Sequence, residues 1–253
     1  MKKVVLSLIG ILLVIGCGEN EGWVRIWLID SPPPQDVEAI YLRIFGVGVR
    51  NLGGDAITVD ANINEYDIVM GTLGGMGIVI AVDKIKPGNY TSILIALTEI
   101  HLVRRNGELD TLILSEGSPL KYEIPQDFTI YKDKITQIFI DFDASKSINW
   151  ETQPYTLTPI FRAFEGSTLG AIRGKVTDST GAPIKFAVCK AVNSTDTFTT
   201  LSTPDSGKYY LIAKKGTYNI TSYLEGYTSD TSYSVEIGDS TLKGYNFVLR
   251  KEY

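Results

Sequence analysis

Ile135-Thr136-Gln137-Ile138-Phe139-Ile140-Asp141-Phe142-Asp143-Ala144-Ser145 is the stretch that decides how this chain folds. Its branched and aromatic run from Ile135 to Phe142 is the strongest strand signal in the first half of the chain. Asp141, Asp143 and Ser145 then fall at alternate positions, so in extended backbone three oxygen-bearing side chains share one face.

The same texture extends to either side. Trp23 to Ile29 alternates between faces until Asp30-Ser31-Pro32-Pro33-Pro34 stops it, because proline cannot donate to a ladder. Ala39–Val49, Ile78–Val82, Tyr90–Leu97, His101–Val103 and Leu109–Leu114 also read as strands. Asn106-Gly107 predicts a hairpin between the last two. One short helical turn is expected around Ile63–Leu73, where the apolar spacing is mixed.

At Glu165-Gly166-Ser167-Thr168 the cadence changes. Shorter strands follow at Ala171–Thr177, Phe186–Val192, Tyr209–Ala213, Tyr218–Tyr223, Ser232–Ile237 and Gly244–Leu249. That spacing predicts a small sandwich of six or seven strands. The expected architecture is all-β: two tandem β-sandwich domains, residues 23–165 and 170–253, joined near Gly166–Leu169. An internal echo links them, since Gly88-Asn89-Tyr90 and Gly216-Thr217-Tyr218 each enter a strand through glycine, one residue, then tyrosine. Such a tyrosine buries its ring and ties its hydroxyl to the turn.

The N-terminus has a different character. Lys2 and Lys3 precede an apolar run from Val4 to Ile15, too short for the ~20 residues of a bilayer-spanning helix. A basic start, a short apolar core and a small residue before a cut describe a signal peptide over residues 1–16. Val14-Ile15-Gly16-Cys17 resembles the bacterial lipobox, which implies cleavage before Cys17 and diacylation of its thiol. A plain signal with an incidental Cys17 and an uncleaved anchor are the competing readings. Residues 17–22 are then the lipidated cysteine and a short tether. Two or more acyl chains make attachment stable where one does not.

Charge and cysteine count bound the rest. Removing residues 1–16 takes away two lysines and no acid, so the formal charge moves from −5 to −7. An acidic body argues against nucleic acid as a partner and leaves membrane attachment to the lipid. With Cys17 acylated, Cys189 has no intramolecular partner, and each domain relies on its own core.

The first domain resembles the family catalogued as domain of unknown function 4382, found in bacterial envelope lipoproteins. Leu28-Ile29-Asp30-Ser31-Pro32, Pro87-Gly88-Asn89-Tyr90, Ile138 to Ile148 and Tyr155 to Ile160 carry the resemblance. Ser31 stands where the family usually has alanine. The resemblance implies an extracytoplasmic β-rich module and brings no catalytic residues. The second domain resembles the carboxypeptidase regulatory-like domain, a prealbumin-type sandwich. Gly174 to Asp178, Gly181 to Ile184, Ala187 to Cys189, Asp205 to Tyr210, Lys215 to Tyr218 and Glu225 to Tyr227 carry it. This implies a fold grouped with carbohydrate-binding-like folds, a likeness of architecture and not of activity.

Candidate sites are few. Asp141, Asp143 and Ser145 open like a calcium loop, but Lys146 replaces its turn glycine and Thr152 its bidentate glutamate. The competing reading has the two aspartates ending a strand and accepting turn N–H groups. His101 is the only histidine and reads as a strand residue. Gly71 to Gly77 lacks the Lys-Ser/Thr of a phosphate cradle. Cys189 alternates with Ala187 and Ala191, which predicts a core position. Lys175 and Asn246 hold places used by isopeptide partners in related pilin-like domains, yet Lys175 is out of phase with the core. Tyr223, Tyr227 and Tyr233 are candidates for a sugar-binding platform, or ordinary strand residues.

These features lead to a membrane-anchored bacterial cell-envelope lipoprotein, extracytoplasmic, non-catalytic, without cofactor, whose partner is an envelope protein or polysaccharide. The alternative is a carbohydrate-binding accessory lipoprotein, which requires an exposed tyrosine row on one sheet. A hydrolase ranks last, because it needs a cleft with paired carboxylates ~5–10 Å apart.

Overall fold

The structure, a computed structural model, describes residues 20–31, 37–61, 64–67, 75, 77–104, 109–115, 121–151, 154–239 and 244–252. In chain order the first domain runs β1 (Gly22–Ser31), β2 (Val37–Asn51), β3 (Ala56–Val59), β4 (Asn64–Asp67) and β5 (Ile78–Ile85). It continues with β6 (Gly88–Arg104), β7 (Leu109–Thr111), β8 (Ile113–Leu114), β9 (Lys121–Ile130) and β10 (Ile135–Asp143). The single-turn helix α1 (Ala144–Ser147), β11 (Ile148–Asn149), β12 (Thr156–Leu157) and β13 (Phe161–Glu165) complete it.

One sheet has the order β13-β10-β1-β5, a second is built on β3-β2-β6-β7 with β4 on β2 and β9 on β6, and β11-β12-β8 form a small third sheet. In the first sheet β1 runs parallel to β10, placing Ile26 beside Ile138 and Leu28 beside Ile140. These side chains meet Leu42, Ile44, Ile93 and Ile95 of the second sheet in one core. Alternation sends one residue in two inward, so each strand supplies a full row to that core.

One local reading changes, and one strand appears where the sequence suggests none. Asn64–Asp67, expected within a helical turn, is a strand paired with Tyr41–Ile44. Its mixed apolar spacing offers no helical face, and pairing on β2 satisfies its backbone instead. Residues 68–74 lie outside the described residues. Lys121–Ile130 is a strand that the sequence disguises with Pro125, Gln126 and Asp127. Among the described residues it pairs only with β6, and Pro125 sits beside a register shift, where a missing N–H is tolerated. The strands flanking Asn106-Gly107 pair as expected, with His101 opposite Thr111, while residues 105–108 lie outside the described residues.

After a 3-10 turn at Gly166–Thr168 the second domain follows: β14 (Leu169–Asp178), β15 (Val188–Val192), β16 (Thr197–Leu201) and β17 (Lys208–Lys214). It ends with β18 (Gly216–Tyr223), β19 (Tyr227–Thr228), β20 (Asp230–Ile237) and β21 (Phe247–Lys251). Sheets β17-β14-β21-β19 and β16-β15-β18-β20 enclose Ile172, Leu211, Tyr218, Ile220 and Phe247. The fold is therefore two tandem β-sandwiches. Gly174 is required by close approach: a Cβ there would collide with the Tyr245 carbonyl, whose oxygen accepts the Tyr209 hydroxyl at 2.7 Å.

The tyrosine echo has two outcomes. Tyr90 Oη donates to the Lys86 carbonyl of its own turn at 2.7 Å. Tyr218 instead meets the Asn193 side chain, with its ring packed back on Gly216.

Candidate functional site

The decisive stretch ends where the two domains meet. Asp141 alternates with Ile140 and Phe142, so its side chain leaves the first core, yet it is buried. Antiparallel pairing sets Arg162 of β13 directly opposite. Arg162 Nε donates to Asp141 Oδ2 at 3.0 Å, and Nη2 donates to the same oxygen. Nη2 also donates to the Thr197 carbonyl of the second domain at 3.0 Å. The guanidinium lies 5.1 Å from the Phe198 ring centroid and 5.5 Å from that of Phe164. Burial pushes the Asp141 carboxyl above its ordinary value, while the charge of Arg162 pulls it back.

Asp143 stands one period on but has separate partners. It caps α1, accepting the Lys146 N–H at 3.2 Å and the Ser145 hydroxyl at 2.6 Å. Lys146 Nζ donates to its other oxygen at 2.5 Å. Burial acts to raise this carboxyl, but the bonds from Lys146 and Ser145 outweigh it and hold it below the ordinary range. Ser145 does not continue the shared face, because the helix starts at Ala144. Asp127 is exposed on β9, and the side chain of Asp30 lies outside the described residues. Among the described residues no three His, Cys, Asp or Glu side chains gather as a metal site.

The joint reaches into both cores. Ala163 packs in the first and Phe164, the next residue, in the second, while Leu201 of the second domain packs against the first. A cavity of about 370 Å³ opens beside it, lined by Gln137, Phe139, Gly166, Tyr210 and Asp239. Asp239 is its one carboxylate among the described lining residues and pairs with Lys215. A second groove, about 400 Å³, crosses the outer face of β2, β6 and β9 at Phe45, Gly46, Gly48 and Glu123. Its Glu123 is held by Arg50 Nε at 2.7 Å. Among the described lining residues neither opening presents two free carboxylates, the arrangement acid–base hydrolysis needs.

The remaining candidates separate. Tyr223 and Tyr233 belong to the β18–β20 sheet, whereas Tyr227 is in β19 of the opposite sheet, so the three form no single row. Tyr233 is 73% exposed and Tyr223 is partly exposed. Cys189 is buried, and burial pushes its thiol up to about 12. Asn246 Oδ1 accepts the backbone N–H of Lys175 at 2.9 Å, while Lys175 itself is exposed. His101 lies in β6 opposite Tyr41; its side chain is outside the described residues. Cys17 and residues 1–19 are outside them too. No helix among the described residues is long and apolar enough to cross a membrane.

The family model described as Domain of unknown function (DUF4382) matches residues 21–159. The model of the carboxypeptidase regulatory-like domain matches residues 171–250. No curated protein matches the chain. Among solved structures, the Bacillus anthracis TIE protein is 10% identical, with 92% of this chain and 34% of that one covered and a TM-score of 0.25. The Streptococcal ancillary pilin is 12% identical, with coverage of 92% and 63% and a TM-score of 0.26. Shaft pilin SpaA from Lactobacillus rhamnosus GG is 8% identical, with coverage of 92% and 98% and a TM-score of 0.27. This chain thus spans about a third of the TIE protein and under two thirds of the ancillary pilin.

Proposed function

This chain belongs to the family Domain of unknown function (DUF4382), and we propose that it is a lipid-anchored, non-catalytic lipoprotein of the bacterial cell envelope. It presents sheet faces and loops outside the cytoplasm to an envelope protein or polysaccharide. The carrying observation is that the acidic segment is structural: Asp141 is held by Arg162 and Asp143 by Lys146. The run with the most chemistry-bearing spacing therefore serves a domain joint and a helix cap. The Val14-Ile15-Gly16-Cys17 sequence supports the anchor at Cys17. The domain limits that go with this reading are 1–16 for the signal, 17–22 for the tether, 23–165 and 170–253. Carbohydrate as the partner has weaker support, because Tyr227 is on a different sheet from Tyr223 and Tyr233.

The test is intact mass with metabolic labelling by a fatty-acid analogue, on wild type and Cys17→Ser. A chain starting at residue 17 with added acyl mass, lost in the variant, is expected. An unlabelled chain cut elsewhere sinks the anchor.

A further inference from the structure

We infer that the end of the first sandwich where the tether leaves is a membrane-contact surface whose partner is the phospholipid bilayer, an inference that rests on the lipoprotein reading above. Four exposed apolar side chains lie at that end: Trp23 at 38%, Tyr131 at 55%, Ile135 at 54% and Leu52 at 71%. Monomers usually scatter such residues singly. Strand register explains the gathering. Trp23 lies beside Ile135 in the parallel β1–β10 pair, and its N–H donates to the Lys134 carbonyl at 2.8 Å. The backbone carbonyl of Tyr131, in the β9–β10 turn, approaches Gly22 so closely that a Cβ there would collide with it. The Leu52 N–H donates to the Asn89 carbonyl at 3.0 Å, and Asn89 pairs with Thr129 of β9. Three turns and the start of β1 thus share one end.

The chemistry fits a lipid interface. Trp and Tyr combine an apolar body with a polar edge and favour the headgroup boundary. Lys84 Nζ lies 5.2 Å from the Trp23 ring centroid and Lys134 Nζ 5.6 Å from that of Tyr131. Long lysine stems can hold ammonium groups at the phosphates while the rings enter below them. Position commits the surface to this occupant. The Glu21 carbonyl accepts the Asp133 N–H at 3.0 Å, so the chain is pinned at this end. From Glu21 back to Cys17 is four residues, no more than about 14 Å of extended chain. The second domain meets the same sheet at Gln137, Phe139 and Arg162 and leaves Trp23 and Ile135 exposed. Glu21 and Asp133 offset only part of the charge of Lys84, Lys132 and Lys134, so apolar insertion supplies most of the contact and salt weakens it modestly.

Tryptophan fluorescence of the mature acylated protein tests this in phosphatidylethanolamine–phosphatidylglycerol vesicles, with and without brominated acyl chains. The chain has three tryptophans, Trp23, Trp27 and Trp150. Brominated lipid is expected to quench part of the emission, and that part disappears in Trp23→Phe. Leu52→Glu, on a highly exposed turn, reduces the quenching without changing the far-UV circular dichroism. Acyl mass and vesicle pelleting without quenching, or quenching unchanged in Trp23→Phe, overturns the contact surface alone. The first of these outcomes is expected if an envelope protein covers the patch instead. Absence of acyl mass and of pelleting overturns the lipoprotein reading and this inference with it.

Discussion

Arg162 and Asp141 face each other across β13 and β10, and the same guanidinium that holds Asp141 reaches the Thr197 carbonyl of the second domain at 3.0 Å. One side chain thereby neutralises a buried carboxylate and couples two sandwiches. Removing it leaves Asp141 buried without its cation, the costly half of breaking an ion pair. Arg162→Ala is expected to destabilise at the low end of ~3–5 kcal/mol, since the arginine itself is partly exposed. The double variant Asp141→Asn/Arg162→Met recovers most of the loss. Urea unfolding of the three proteins checks this, and a single-variant loss no larger than that of the double variant rules out the pair as the joint.

Glu123 accepts Arg50 Nε at 2.7 Å, Arg50 Nη2 at 3.0 Å and the Ser92 hydroxyl at 2.7 Å. The bonds from Arg50 and then Ser92 bring its carboxyl down to about 2. A carboxyl lowered by folding adds stability above its unfolded value of ~4.3, and that stability is lost as pH falls toward its folded value. Wild type should therefore melt above Glu123→Gln at neutral pH, with the margin shrinking between about pH 4.3 and pH 2. Salt should narrow it as well, because Glu123 is exposed. A margin that is constant from pH 6 to pH 2 would contradict the assignment.

Cys189 is buried against the Ser222 hydroxyl, 3.8 Å from its sulfur, and burial holds the thiol up at about 12. The thiolate is the reactive form, so the native thiol should be inert at pH 8. In Cys17→Ser protein, a disulfide reagent should label nothing until denaturant is added, then label one thiol. Fast labelling of the native protein would place Cys189 outside the core.

Tyr90→Phe and Tyr218→Phe remove one hydroxyl each and keep the ring. Each should cost about 0.5–1.5 kcal/mol, the net worth of a hydrogen bond. The two differ in which contact is lost: Tyr90 ties its own turn, at Lys86, whereas Tyr218 meets Asn193. Asn193 Oδ1 also accepts the Thr195 and Asp196 N–H groups of its own turn, so Asn193→Ala costs stability in either background. Its cost should be smaller in Tyr218→Phe than in wild type and unchanged in Tyr90→Phe, measured as double-mutant cycles.

Strand after strand was legible along the chain because alternation at period two is a local property of side chains, as at Trp23–Ile29 and Ile135–Phe142. The change of cadence near Gly166 was legible for the same reason. Lys121–Ile130 was not, because its Pro125 mimics a break and only an edge position on β6 makes it harmless. The candidate sites divide along the same line. Spacing along the chain aligned Asp141 with Asp143, and it showed the burial of Cys189 in its alternation with two alanines. Which cation meets each carboxylate depends on long-range register: Arg162 comes to Asp141 only because β13 pairs antiparallel with β10. Pairing partners, the parallel β1–β10 contact and the gathering of Trp23, Tyr131 and Leu52 at one end join residues remote in sequence. Tertiary structure decided them, since burial and backbone hydrogen bonds between distant strands select one register among many that local alternation allows.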